Sequence, residues 1–494
     1  MANLKSLAKD TAIYGLSSIV GRFLNYLLVP LYTFKIAASS GGYGVITNVY
    51  AWTALLLVIL TFGMETSFFY FANKSEENPK RVFSTALIGV GTVSLTFALL
   101  CWAFITPISG LLGYEAHPEY VGFMATVVAL DAIQAIPFAY LRYQKRPIKF
   151  AALKLLFILL NIGLNLFIFV AAPQIFATSP QSISWFYNPN YGAGYVFILN
   201  LICTGSITFF FWKELADLRY GFDKALFRRM FRYAFPLLLL GVAGILNQTV
   251  DKILFPYLTD NNTVELGIYG GASKIAMIIV MFTQAFRYAY EPFIFAKSHD
   301  KDSLETCAAG MKYFVIFSLL AFLMVMFYMD ILKHIIGPEY RPGLKVVPII
   351  MAAEIFMGIY FNLSFWYKLN NETRWGAIFS GIGCTILILV NILFVPRYGY
   401  MACAWGGFAG YGTSMVLSYI VGQKRYPIAY DTKSITLYFL LAAILYTLSQ
   451  TVAPHSTLLR LLFNTLLLCI YLAYLIKKDL PLKQIPFIGR FFKK

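Results

Sequence analysis

Residues 12–33, AIYGLSSIVGRFLNYLLVPLYT, and residues 43–71, YGVITNVYAWTALLLVILTFGMETSFFYF, are long apolar runs separated by nine residues. A helix needs about 20 mostly apolar residues to cross a hydrocarbon layer about 30 Å thick, and each run supplies them. The pattern continues along the chain. Polar punctuation marks off fourteen spans: 12–33, 43–71, 84–106, 119–141, 150–172, 193–212, 233–257, 267–290, 310–329, 343–365, 376–395, 401–422, 434–453 and 457–476. Of the 494 residues, 59% are hydrophobic and 13% charged, about half the charged share of soluble domains. The expected fold is therefore all-α: a polytopic membrane protein with about 14 transmembrane helices. An even count places both termini on one side.

Lysine and arginine choose that side. The segments 1–11, 72–83, 142–149, 213–232, 291–309 with Lys312, 366–375, 423–433 and 477–494 hold 29 of the 40, while the opposite loops hold only Lys35, Lys333, Arg341 and Arg397. Both termini are expected in the cytoplasm. The net charge of +17 is thereby explained by topology and by contact with inner-leaflet membrane lipids, and nucleic acid is excluded as a partner. Segment 213–232 is basic and amphipathic at helical spacing and is expected to be an interfacial linker helix between two halves. The tail 477–494 pairs basic residues with Phe and Ile and reads as a cytoplasmic surface anchor.

The halves align without a gap at an offset of 226 residues. Gly15 pairs with Gly241, Pro30 with Pro256, Tyr43-Gly44 with Tyr269-Gly270, Glu65 with Glu291 and Phe69 with Phe295. Apolar helices readily share Leu and Ile by chance; matched Pro, Tyr-Gly and Glu at one offset are a stronger sign of a repeat. Parallel repeats around a cavity are a transporter architecture. The expected organisation is an N-terminal six-helix lobe (1–212), the linker (213–232), a C-terminal six-helix lobe (233–422), two additional transmembrane helices (423–476) and the tail.

The opening LKSLAKDTAIYGLSSIVGRFLNYLLVPLYT, the GGYG that starts the second helix and the following TFGMETSFFYF resemble the bacterial polysaccharide-transporter family of lipid-linked oligosaccharide flippases. Its superfamily also holds MATE-type multidrug exporters and lipid II flippases. The resemblance implies a two-lobed, MATE-like bundle in the bacterial cytoplasmic (inner) membrane, working by alternating access on a polyprenyl-diphosphate-linked glycan for capsule, exopolysaccharide or O-antigen. Glycosyltransferases and a glycan polymerase of the same pathway are the implied protein partners. A cation-coupled multidrug exporter is the alternative within transport; a membrane glycan polymerase or an assembly scaffold is the alternative outside it.

Ionisable groups inside a bilayer are costly and should face the bundle or a cavity. Arg22, with Asn25 one turn on, is the leading diphosphate ligand, because a guanidinium binds phosphate bidentately; an internal counter-ion to Asp131 is the plainer role. Lys252 and Lys274 are further cavity cations. Asp251 and Lys274 lie at similar depth and form an expected pair, either polar glue between helices or an ion-responsive switch, with Lys252 pointing elsewhere. Their repeat counterparts are Asn25 and Asn48. Tyr50 and Gln248 are candidate sugar partners. Asp131 and Glu354 are mid-span carboxylates fit to carry a coupling ion, H+ or Na+. Glu65 and Glu291, the latter near Arg287, are either gating groups or solvated helix ends.

Enzymatic readings find no support in the motifs. His117, His299, His334 and His455 fall in loops or at helix ends, with no HExxH, P-loop or GxSxG. The six cysteines show no metal spacing and read as small buried hydrophobes. No cleavable leader is expected, since the first run is long, carries Arg22 and continues into a second. No cofactor and no metal are expected.

Overall fold

The computed structural model describes residues 24, 26–74, 77–296, 303–370, 372–452, 454 and 456–480. Among them the chain is helical, and eleven helices are long and apolar enough to cross a membrane. A twelfth crossing is made if the bent pair Gly194–Phe209 and Trp212–Tyr220, kinked by 55°, forms one span. Of the expected first span, Leu28–Lys35 is seen as a helix. The expected span 401–422 is a helix of 26 residues, Tyr400–Arg425, whose glycines and serines dilute its hydropathy. Apolar side chains such as Leu99, Leu111, Phe209 and Leu458 stand exposed on the helices, as hydrocarbon-facing surface requires.

The chain divides into two compact units, Met1–Gly271 with Ile388–Cys403, and Ala272–Leu387 with Ala404–Lys494. The core of the first gathers Phe68, Phe83, Val128, Ile136 and Tyr140 around Leu226 and Met230. Local signals start its helices. Asn78 caps Pro79–Ala103 by accepting from Lys80 N, with Pro at the first position. The helix Gly42–Thr61 ends where Phe62 and Gly63 turn left-handed, and Met64–Ala72 resumes beyond the break.

The linker differs from expectation. Instead of one amphipathic helix over 213–232, a short turn Trp212–Leu215 and a 3-10 segment Ala216–Tyr220 stop at Gly221, whose φ of 73° breaks the helix. Asp223 then caps a new helix of 35 residues, Lys224–Leu258, by accepting from Ala225 N and Leu226 N. The basic half of the linker is thus the first part of the seventh span. That helix packs into the first unit, where Ser67 Oγ donates to Met230 O at 3.0 Å. Buried Glu214, held by Lys149 at 2.7 Å, pins the turn.

In the second unit, Trp366, Tyr360, Tyr367 and Phe379 form one aromatic core cluster. The last helix, Thr457–Lys478, is bound to Ser303–Phe327 by Tyr471 OH to Ile316 O (2.8 Å) and Asn464 Nδ2 to Phe327 O (2.9 Å), and Ser449 Oγ of Thr432–Thr451 donates to Asn464 Oδ1 at 2.8 Å. Asp431 and Asp479 both clasp Lys312, at 2.9 and 2.5 Å.

Candidate functional site

Arg22 and Asn25 lie outside the described residues. Most of the other candidates fall into three groups, two of them within the first unit, while Lys274 and Glu354 belong to the second.

The first group joins helix Gly42–Thr61 to Lys224–Leu258. Buried Asn48 donates to Lys252 O at 2.7 Å and accepts from Tyr114 OH at 2.6 Å. Asp251 is also buried and is bound by Tyr269 OH at 2.7 Å and by Lys252 Nζ at 2.9 Å. The sequence reading sent Lys252 away from its neighbour, because adjacent helical residues diverge. The lysine stem is long enough to curl back, and its ammonium, over the Tyr269 ring at 5.4 Å, completes the pair. Gln248, one turn before Lys252, is exposed. Lys274 is half-buried in the second unit.

Beside this group helices Gly42–Thr61 and Thr263–Ala296 approach to backbone contact near their N-terminal ends. A Cβ on Gly44 would lie 1.8 Å from Thr263 O and 3.0 Å from Gly267 N, and one on Gly270 would lie 2.4 Å from Thr47 Oγ1. Gly44 and Gly270 are the glycines of the two repeated Tyr-Gly pairs. Close backbone approach through small residues is how membrane helices gain van der Waals contact.

The second group surrounds Asp131, which faces Thr204 and the ammonium of Lys154. Thr204 Oγ1 donates to Asn200 Oδ1 at 3.3 Å, and Asn200 Nδ2 donates to Tyr50 OH at 2.7 Å. Gln134 Nε2 completes the network through Thr204 O and Thr208 Oγ1, both at 2.8 Å. Lys154 stands 4.0 Å over the Phe138 ring. Asp131, with no partner evident in the sequence, comes within electrostatic reach of Lys154 on helix Pro147–Leu166, without a direct ion pair between them. Glu354 is half-buried in Val347–Leu363 of the second unit.

The third group holds Glu65 and Glu291. Glu65 pairs with Arg142, and Glu291 pairs with Lys368 at 2.7 Å and more distantly with Arg287 at 3.7 Å. Both close pairs span 77 residues. Arg142 and Lys368 are themselves 226 residues apart, so each half carries the same ion pair at the repeat offset. Equivalent buried asparagines, Asn165 and Asn391, obey the same offset. Sequence inspection passed over Arg142 and Lys368 as loop cations; extending the offset beyond the second helix would have found them. Among the described residues no cluster of His, Cys, Asp or Glu could hold a metal ion.

The family described as polysaccharide biosynthesis protein matches residues 7–296. Among solved structures, the chain is similar to a lipid II flippase MurJ in an inward closed conformation, with TM-score 0.72 and 16% identity over 94% of this chain and 98% of that one. It is also similar to an inward-facing MATE family multidrug resistance transporter of the MOP superfamily, with TM-score 0.64 and 12% identity over 85% and 96%. A third is the MATE multidrug transporter DinF-BH, with TM-score 0.59 and 15% identity over 85% and 96%. No curated protein matches the chain. At these identities the structural likeness is a likeness of fold.

Proposed function

The chain belongs to the polysaccharide biosynthesis protein family, and from that premise we propose that it is a flippase moving a polyprenyl-diphosphate-linked oligosaccharide from the cytoplasmic to the outer leaflet of the bacterial inner membrane. The observation that carries the proposal beyond family membership is the ion pair repeated at one offset, Glu65–Arg142 and Glu291–Lys368. It supports two equivalent six-helix lobes within a bundle of fourteen helices, and alternating access needs two such bodies.

In this reading Arg22 takes the diphosphate, with Lys252 and Lys274 as further cations and Asn25, Asn48, Tyr50 and Gln248 as polar groups nearby. Each clasp holds its own lobe together at the cytoplasmic end, and the glycine crossing at Gly44 closes the outer end. The outer crossing parts when the protein opens outward. Coupling to H+ or Na+ would act through Asp131, Asp251 or Glu354. Of these, Asp131 already faces an ammonium, so protonation can release a partner there. Both termini face the cytoplasm, beside the glycosyltransferases that supply the substrate.

Reconstitution in liposomes tests the proposal. The protein should translocate a lipid-linked glycan, and Arg22→Ala should reduce that rate by more than tenfold. Unchanged translocation in Arg22→Ala removes the diphosphate role; efflux of a cationic dye with no glycan translocation favours the multidrug exporter that the likeness to MATE folds keeps in view.

A further inference from the structure

The repeated clasp is dressed differently in the two halves. At the Glu65–Arg142 clasp the guanidinium lies 5.1 Å over the Phe69 ring and 5.9 Å over Phe150; of Thr61, one turn before Glu65, and Ala135, Ile136 and Ala139, before Arg142 in its helix, Ile136 and Ala139 are fully buried and Thr61 bonds its own helix at Leu57 O. The positions 226 residues on are Arg287, Phe361, Asn362 and Phe365. Both clasps therefore have aromatic neighbours, but only the second places a further guanidinium and an amide at positions that hold threonine and isoleucine in the first. Burial among apolar side chains accounts for Ile136 and Ala139; it does not account for a second guanidinium and a buried amide in the other half.

The geometry of the second set is that of a recognition site. The Arg287 guanidinium lies 4.2 Å over the Phe361 ring, which fixes its plane. It stands 3.7 Å from Glu291, whose nearer partner is Lys368 at 2.7 Å, so two cations share one carboxylate. Asn362 is 6% exposed; its Nδ2 donates to Gly358 O at 3.0 Å, and its Oδ1 has no partner. An unsatisfied buried acceptor is uncommon and costly. These side chains line a cavity of about 10 Å³ floored by Phe286 and Phe365, about the space of one oxygen atom with its hydrogens.

A group that fits must accept from Arg287 or Lys368 and donate to Asn362 Oδ1 or Glu291. A hydroxyl does both. The doubly esterified diphosphate of a lipid-linked glycan does not, having no proton for the amide. An aromatic wall beside convergent donors and acceptors suits a ring with an apolar face and hydroxyl edges. We propose that this end of the second unit is a subsite for a sugar residue of the transported glycan, with one hydroxyl seated between Arg287 and Asn362 and the ring against Phe361. The inference rests on the flippase reading and assigns the glycan, as distinct from its diphosphate, to these residues.

The test measures binding by the full chain in nanodiscs to undecaprenyl diphosphate, and to the same lipid carrying glucose, N-acetylglucosamine or glucuronic acid. Wild type should bind at least one glycosylated lipid more tightly than the bare one. Asn362→Ile, the residue of the other half, and Phe361→Leu should each weaken that binding about tenfold and leave the bare lipid's affinity unchanged. The matched melting temperatures of the variants separate binding from folding. Equal losses for bare and glycosylated lipids, or no loss in either variant, overturn the subsite. Equal wild-type affinity for all four lipids also overturns it, because no sugar is then recognised; wild type binding none of them overturns the flippase reading itself.

Discussion

Replacing Gly44 by alanine should force apart the glycine crossing of the first unit. The added Cβ would lie 1.8 Å from Thr263 O, whereas a comfortable C···O approach is about 3.3 Å. The two helices must therefore separate by about 1.5 Å. The obstacle is a backbone carbonyl, so no rotamer change relieves it, and overpacking of this kind costs about 1–3 kcal/mol. A penalty of that size, borne only by the closed crossing, shifts the balance between closed and open forms by about 5–150-fold. Leu266 is fully buried beside the contact and makes a good reporter as Leu266→Cys. Labelling of that cysteine by an impermeant maleimide from the outer face should accelerate by at least about fivefold when Gly44→Ala is added. Unchanged labelling together with an unchanged melting temperature would show that the helices do not touch at Gly44, and the reasoning from close approach would fail.

The two clasps should behave alike. Double-mutant cycles on Glu65→Gln with Arg142→Met, and on Glu291→Gln with Lys368→Met, should each return a coupling of about 0.5–1 kcal/mol in denaturation, because all four groups are about a third exposed; a coupling in one half only would contradict their equivalence. Asp131→Asn and Lys154→Met should each lower the yield of folded protein by stranding a charge inside the membrane, while the double variant recovers it; a double variant worse than both singles would refute the pairing. The Lys312 ammonium, with the Ser434 cap, holds the Asp431 carboxyl below its ordinary range. A depressed carboxylate keeps its stabilisation above its unfolded pKa of about 4 and loses it as pH falls through the folded value. The melting-temperature gap between wild type and Asp431→Asn should therefore be constant from pH 7 to about pH 5 and shrink only below about pH 4; a gap that closes near pH 6 would contradict the assignment.

Local sequence was sufficient for the helices. A run of 20 apolar residues has one stable form in hydrocarbon, since each backbone group must be satisfied within the segment, and the spans from 43 onward were legible on that ground. The linker was less so, because its basic periodicity from 224 to 232 is equally that of an interfacial helix and of the first turns of a long span; Gly221 and the Asp223 cap decided between them. The span 401–422 was marked off by the polar residues at its ends, its glycines and serines diluting its hydropathy.

The candidate site divides in the same way. Glu65, Glu291, Asn48, Asp251 and Asp131 stood out in the sequence because a polar group is conspicuous in an apolar run. Their partners did not. Arg142 and Lys368 looked like ordinary loop cations, Lys154 like a stray charge in a fifth span, and Asn362 like one amide among many. Sequence by itself determined the all-α membrane class and most of the spans and pointed to a repeat, because membrane insertion and internal duplication act on residues close in the chain or at a constant offset. Tertiary structure alone decided which charges pair, since partners 77 residues apart meet only when helices pack, and it alone showed that one of the two clasps has a buried, unsatisfied amide beside its aromatic rings.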